Sequence, residues 1–119
     1  MNIDKNNPLA FFDGVSQEDV GKCGVGFLLY CSDIGVYMFR VNLGACTNNW
    51  GELKALFLLL KFARKTRVKN MHVYGDSSLV IMFLQGWALT INLHIYNLSQ
   101  QVQLILPLFN PFKATDIYR

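Results

Sequence analysis

Hydrophobic and polar positions alternate along this chain in blocks, and the period of the alternation changes part-way. Residues 1–8 are polar and close on Pro8, which reads as a flexible leader to a domain over 9–119. Residues 9–14, Leu-Ala-Phe-Phe-Asp-Gly, predict a short strand that stops in a turn at Gly14. A polar loop is expected over 15–22, then a second strand over Cys23–Cys31. One parity of that strand, Cys23, Val25, Phe27, Leu29 and Cys31, is wholly apolar; the other carries Gly24, Gly26, Leu28 and Tyr30. A strand apolar on both parities calls for cover on both faces. After a turn at 32–35, residues 36–43 predict a third strand, with Tyr37, Phe39, Val41 and Leu43 on one face.

The period then lengthens. Thr47, Asn48 and Asn49 are all competent helix caps. Beyond them Leu53, Leu56, Phe57, Leu60 and Ala63 follow helical spacing, and Leu59 and Phe62 widen the stripe, so this helix is expected to be buried on more than one side. It closes in a basic run, Lys61, Arg64, Lys65, Arg67 and Lys69, which suits the negative end of a helix dipole. Met71–Gly75 predicts a fourth strand, and Asp76-Ser77 caps a helix reaching residue 84 or 85. A loop over 87–92 leads to a helix over 94–106 that Pro107 ends, and 112–118 predicts a fifth strand. The order β-β-β-α-β-α-α-β is that of a mixed α/β sheet.

At 119 residues the chain holds one domain. Apolar residues are 52% and charged residues 16%, against about 25% charged in an average domain, so disorder is excluded as the main state. The net charge of +3 permits a nucleic-acid partner without demanding one. No apolar run reaches the roughly 18 residues of a membrane span, and the opening residues lack the apolar core of a signal peptide. Cys23, Cys31 and Cys46 are odd in number and have no C-x-x-C spacing, as expected of reduced thiols in an intracellular protein.

Of the eight acids, Asp4, Glu18, Asp19 and Asp33 fall in the leader and loops as solvated charges. Asp13 and Asp76 each end an apolar strand, and Glu52 lies in the first turns of a buried helix. Strand ends and helix starts gather at one edge of an α/β sheet, where ligands bind. Three carboxylates meeting there would repel one another unless a cation sat between them, and Mg²⁺, hard and often shared with phosphate, is the natural guest. The simpler alternatives are an N-cap for Asp76 and a capping-box or dipole role for Glu52.

Three segments carry a resemblance: FFDG at 11–14, TNNWGELKAL at 47–56 and YGDSSLVI at 74–81. Together they resemble motifs of the ribonuclease H domain, most closely in the plant reverse-transcriptase-like RNase H proteins related to retroelements. The last segment, INLHIYNLSQQVQLILPLFNPFKATDIYR, is similar to the same group. The resemblance spans about residues 8–119 and implies an RNase H-like fold of five mixed strands, the first three antiparallel. It implies a nucleic-acid-binding domain and endonucleolytic hydrolysis of the RNA strand of RNA/DNA hybrids by two Mg²⁺ (or Mn²⁺) ions. Asp13, Glu52 and Asp76 match three of the family's four catalytic metal-binding carboxylates. Gly14 gives the phosphate close approach to the backbone. Asn48 or Asn49 matches a backbone and minor-groove contact, and Trp50 stands beside them as a further substrate contact.

The chain also departs from that pattern. It stops at Arg119, before the family's last helix and the fourth carboxylate it carries, and the position where a His often precedes Ile-Tyr-Arg holds Asp116. Weakened or lost catalysis is therefore expected, with a non-catalytic binding module or an inactive truncated remnant as the alternatives. A sheet face without its helix would invite self-association, the apolar parity of Cys23–Cys31 being one candidate for the bare side. Gly51 stands where the family usually has Ala. The remaining features have simpler readings: a solvated basic face for Lys61–Lys69, packing for Trp87, a structural histidine at 72 and an exposed one at 94. The glycine cluster at 21–26 precedes a strand rather than opening a helix, so it is no dinucleotide fingerprint.

Overall fold

The computed structural model describes residues 8–16, 23–31, 35–42, 44, 48–75, 78–85 and 93–117. Five strands, β1 (Leu9–Ser16), β2 (Cys23–Cys31), β3 (Gly35–Asn42), β4 (Met71–Gly75) and β5 (Phe112–Asp116), form one sheet in the order β3-β2-β1-β4-β5. The first three are antiparallel, whereas β4 runs parallel to β1 and β5 parallel to β4. The helices are α1 (Asn48–Lys65), α2 (Ser78–Leu84) and α3 (Leu93–Ile105), the last running into a 3-10 turn over Leu106–Leu108.

The expected elements are present, with shifted limits. The first strand runs past Gly14 to Ser16, because the ladder with β2 continues through Asp13↔Gly26 to Ser16↔Cys23. Residues 15 and 16 therefore belong to a strand and not to the polar loop. The fifth strand stops at Asp116, two residues before the expected limit. Asn48 and Asn49 lie inside α1, while Thr47 is outside the described residues.

The crossover through α1 decides which sheet face becomes core. Parallel crossovers are right-handed, which puts the connecting helix on one particular side of the sheet. That side receives Ala10 and Phe12 from β1, Val25, Phe27, Leu29 and Cys31 from β2, and Met71 and Val73 from β4, all buried. Helix α1 packs along β1 and β2, and α3 packs against α1. Sandwiched in this way, α1 buries Leu53, Leu56, Leu59 and Leu60 almost wholly, as its wide stripe predicts. Its end is a Schellman motif: Val68 N–H donates to Ala63 C=O (2.9 Å) and Arg67 N–H to Arg64 C=O (3.1 Å). Arg67 takes the left-handed position at φ 63°, which usually falls to glycine.

The opposite, outer face carries the other parity: Phe11 and Asp13, Gly24 to Tyr30 at even positions, Val36, Met38, Arg40, His72, Tyr74, Lys113 and Thr115. No described helix packs on it, and Met38 (73%) and Val36 (56%) are widely exposed. This corrects the expectation for β2. The parity beginning at Cys23, the more apolar of the two, is the core side, and the parity with Gly24, Gly26, Leu28 and Tyr30 has no described helix on it. Cys31 is a buried free thiol whose pKa burial raises. No described helix is long and apolar enough to cross a membrane.

Candidate active site

The parallel pair β1 and β4 brings two motif ends together. Phe11 pairs with Tyr74, and beyond them Phe12 and Gly75 meet so closely that a Cβ on Gly75 would lie 2.5 Å from the Phe12 ring. Asp13 follows Phe12 directly, half-buried, on the outer-face parity opposite Gly26 and Arg40. Asp76 follows Gly75 and lies outside the described residues.

Helix α1 begins after β3 has reached this same end of the sheet, and it runs back along β1 and β2. Glu52 therefore sits near the site end of the molecule. It is the fifth residue of α1, past the capping-box position, so capping does not account for it. It is 8% exposed and its Oε2 is shut off from solvent. A buried carboxylate costs several kcal/mol unless charge or hydrogen bonds compensate it.

The other expected site residues divide. Gly14 is paired with Val25 inside the β1–β2 ladder, beside the site end. Asn48 opens α1 and Asn49 is half-buried on its first turn. The Trp50 ring packs against the core with Lys54 Nζ 5.9 Å from its centroid, so part of its surface is spent on packing. Asp116 pairs with Gly75 in the β4–β5 register, one strand from the proposed centre. That neighbourhood is invisible in the sequence, since strand order alone creates it. Among the described residues no three His, Cys, Asp or Glu side chains converge on a point, so Asp116 does not join Asp13 and Glu52 there.

His72 proves structural. Its Nε2 is 2.6 Å from Thr115 Oγ1 across the β4–β5 pair, and its ring stacks on Tyr74. Burial and then the nearby Lys113 charge lower its pKa. His94 is exposed near the start of α3, as expected.

Over residues 11–119 the sequence matches the family described as reverse transcriptase-like. The chain belongs to this family. It is an RNase H-like domain, and its fold agrees with solved relatives. RNase H1 of Halobacterium salinarum superposes with a TM-score of 0.83 at 28% identity, covering 95% of this chain and 86% of that one. The N-terminal RNase H domain of a Mycobacterium tuberculosis protein, solved as a fusion with maltose-binding protein, gives 0.86 at 25% identity, covering 95% and 88%. LC11-RNase H1, solved with an RNA/DNA hybrid, shares the fold at 0.81 and 18% identity, covering 95% and 86%. In sequence, ribonuclease HI of Halobacterium salinarum is 35% identical over 78 residues, 65% of this chain. Those residues make up 39% of the curated relative's own length.

Proposed function

We propose that this RNase H-like domain binds RNA/DNA hybrids and hydrolyses their RNA strand, with Asp13, Glu52 and Asp76 as the catalytic carboxylates. The observation that supports this most is local. The Phe12–Gly75 contact fixes the ends of β1 and β4 side by side, one residue short of Asp13 and Asp76, in a chain of this family. Glu52, buried on the helix that packs along β1, adds the third carboxylate at the same end.

The donor set suits Mg²⁺ or Mn²⁺: carboxylate oxygens, no thiolate and no imidazole. Bound there, a pair of such ions supplies water activation and stabilises the leaving 3′ oxygen in an in-line displacement. The chain's own part is to hold the carboxylates and admit the substrate. Asp13 stands on β1, paired with Gly26 of β2. Glu52 is held by the buried body of α1. Gly14 would let a phosphate approach the backbone, and Asn48, Asn49 and Trp50 on the first turn of α1 would meet the nucleic-acid backbone. Contacts to 2′-hydroxyls and to the hybrid's groove shape would select the RNA strand.

A retroelement-related ancestry accords with this family. The test is cleavage of a labelled RNA/DNA hybrid in Mg²⁺ or Mn²⁺ by this chain and by Asp13→Asn. Cleavage that the substitution lowers by about 10²-fold or more, on the order expected for a lost catalytic group, supports the proposal. Hybrid binding without cleavage, unchanged in Asp13→Asn, would make the domain a non-catalytic binding module.

A further inference from the structure

Much of the positive charge of this chain is gathered where α1 ends. Residues 61–69 hold Lys61, Arg64, Lys65, Arg67 and Lys69 and no acid, against a net charge of +3 for the whole chain. All five side chains are exposed. Lys61, Arg64 and Lys65 stand at i, i+3 and i+4, so they share one face of the helix. Arg67 and Lys69 continue them in the turn that follows. From residue 53 to residue 75 the chain has no Asp or Glu. Glu52 lies about 20 Å back along the helix from Lys65, at 1.5 Å per residue. The helix dipole does not account for the cluster, because its effect falls off within the last turn, which holds only Arg64 and Lys65.

The turn that carries the last two cations is pinned. Thr66 N–H donates to Phe62 C=O (3.0 Å), and Thr66 Oγ1 donates to Ala63 C=O (3.0 Å). Asn110 N–H donates to Lys69 C=O (2.8 Å), tying the turn to the segment before β5. Arg67 holds φ 63°, where glycine would be unstrained, so a cation is kept at a position whose backbone favours another residue.

We propose that this end of α1 is a second nucleic-acid contact, which grips the phosphate backbone of a double helix without reading its sequence. The patch offers charge and little else. Phe62 packs on Phe27 and Tyr37, with centroids 5.5 and 4.9 Å away, and Val68 packs against the core. A membrane surface favours a helix whose apolar face is free to enter it, and here that face is buried. A protein partner would need an apolar or aromatic anchor at the centre of the contact. A single strand is held by stacking its bases on exposed rings. A duplex needs none of these, since it presents one phosphate charge per about 1.7 Å of its axis. The choice of nucleic acid as the polyanion rests on the RNase H-like reading of the domain, whereas the patch itself does not involve the carboxylates.

The experiment is fluorescence anisotropy of a labelled duplex DNA of arbitrary sequence, titrated over a range of salt in EDTA. Arg64→Gln and Lys69→Gln change exposed residues, and Arg67→Gly places glycine where the backbone favours it, so all three are expected to fold. Each is expected to lower the slope of log K against log salt by about 0.9, and the triple variant by about 2.7. A slope that the triple variant leaves unchanged overturns the proposal, as does no duplex bound by the folded chain at the lowest salt. Co-sedimentation with phosphatidylserine vesicles that the triple variant abolishes, with no duplex bound, also overturns it and gives the patch to a membrane surface. The two readings fail separately. A chain that binds duplex through this patch and cleaves no hybrid breaks the nuclease reading alone. One that cleaves hybrid, with a duplex slope the triple variant does not move, breaks this proposal alone.

Discussion

The two faces of the one sheet both carry large apolar side chains and meet opposite fates. The inner face lies under α1 and is close-packed: Leu29, Val73 and Ala10 have no accessible surface. The outer face carries Phe11, Leu28, Met38, Tyr30 and Tyr74, yet no described helix covers it. On β2 the wholly apolar parity is the buried one, and connection geometry decides where its cover comes from. A right-handed crossover lays α1 on one side only. The same comparison separates the candidate site from the stacked rings of Phe11, Tyr74 and His72. The proposed carboxylate site lies at the strand ends near the start of α1, and the rings occupy the middle of the outer face.

The sharpest way to break this comparison is to truncate one residue on each side of it. Leu60 is fully buried between the sheet and α3, and Leu60→Ala is expected to cost 2–5 kcal/mol, on the order of other large-to-small core changes. Met38 on the outer face is widely exposed, and Met38→Ala is expected to stay within about 0.5 kcal/mol of the parent. Urea melts of the two variants measure both. Equal losses would mean that the outer face is packed in solution.

A smaller effect sharpens the picture within one strand. Gly24 and Gly26 share the outer parity of β2. A Cβ on Gly26 would lie 2.8 Å from the Phe39 carbonyl oxygen, whereas one on Gly24 meets nothing within 4 Å. Backbone cannot swing aside as a flexible side chain can, so Gly26→Ala is expected to cost about 1–3 kcal/mol by forcing β2 and β3 apart. Gly24→Ala, free of that clash, is expected to be neutral or to gain up to about 1 kcal/mol through the unfolded state. Thermal melts of the pair decide it.

These residues also mark how much the sequence can say. Local periodicity placed all five strands, and it found the wide stripe of α1, because each rests on spacing within a single element. It could not say which side of the sheet would receive α1, since that is settled by a helix some 25 residues further on. It ended β1 at Gly14, because glycine signals a turn, whereas pairing with β2 carries the strand through Ser16. For the candidate site, the family motifs pointed to Asp13 and Glu52, and the fold sets both toward one end of the sheet. The nearness of Asp116 to Gly75 was hidden, because β5 reaches β4 only through tertiary pairing. His72 was legible as structural, but its partner Thr115 was not, for the same reason.

The smallest expected effect concerns that histidine and tests whether Lys113 charges the far end of the outer face. Burial and the adjacent Lys113 charge lower the pKa of His72 below its usual 6.5. The folded state thus binds this proton less readily than the unfolded chain. Between the lowered folded value and about 6.5 the unfolded state takes up more protons, so stability falls as pH drops through this window and is fully present above it. The Thr115 hydrogen bond, at 2.6 Å, is made with a neutral ring in that upper range. Urea melts from pH 7.5 down to 5 should show a decline that His72→Gln reduces. Lys113→Gln should shrink it only partly, because burial, the larger cause, remains. A Lys113→Gln variant whose pH profile matches that of the parent would mean that the lysine does not charge this end of the face.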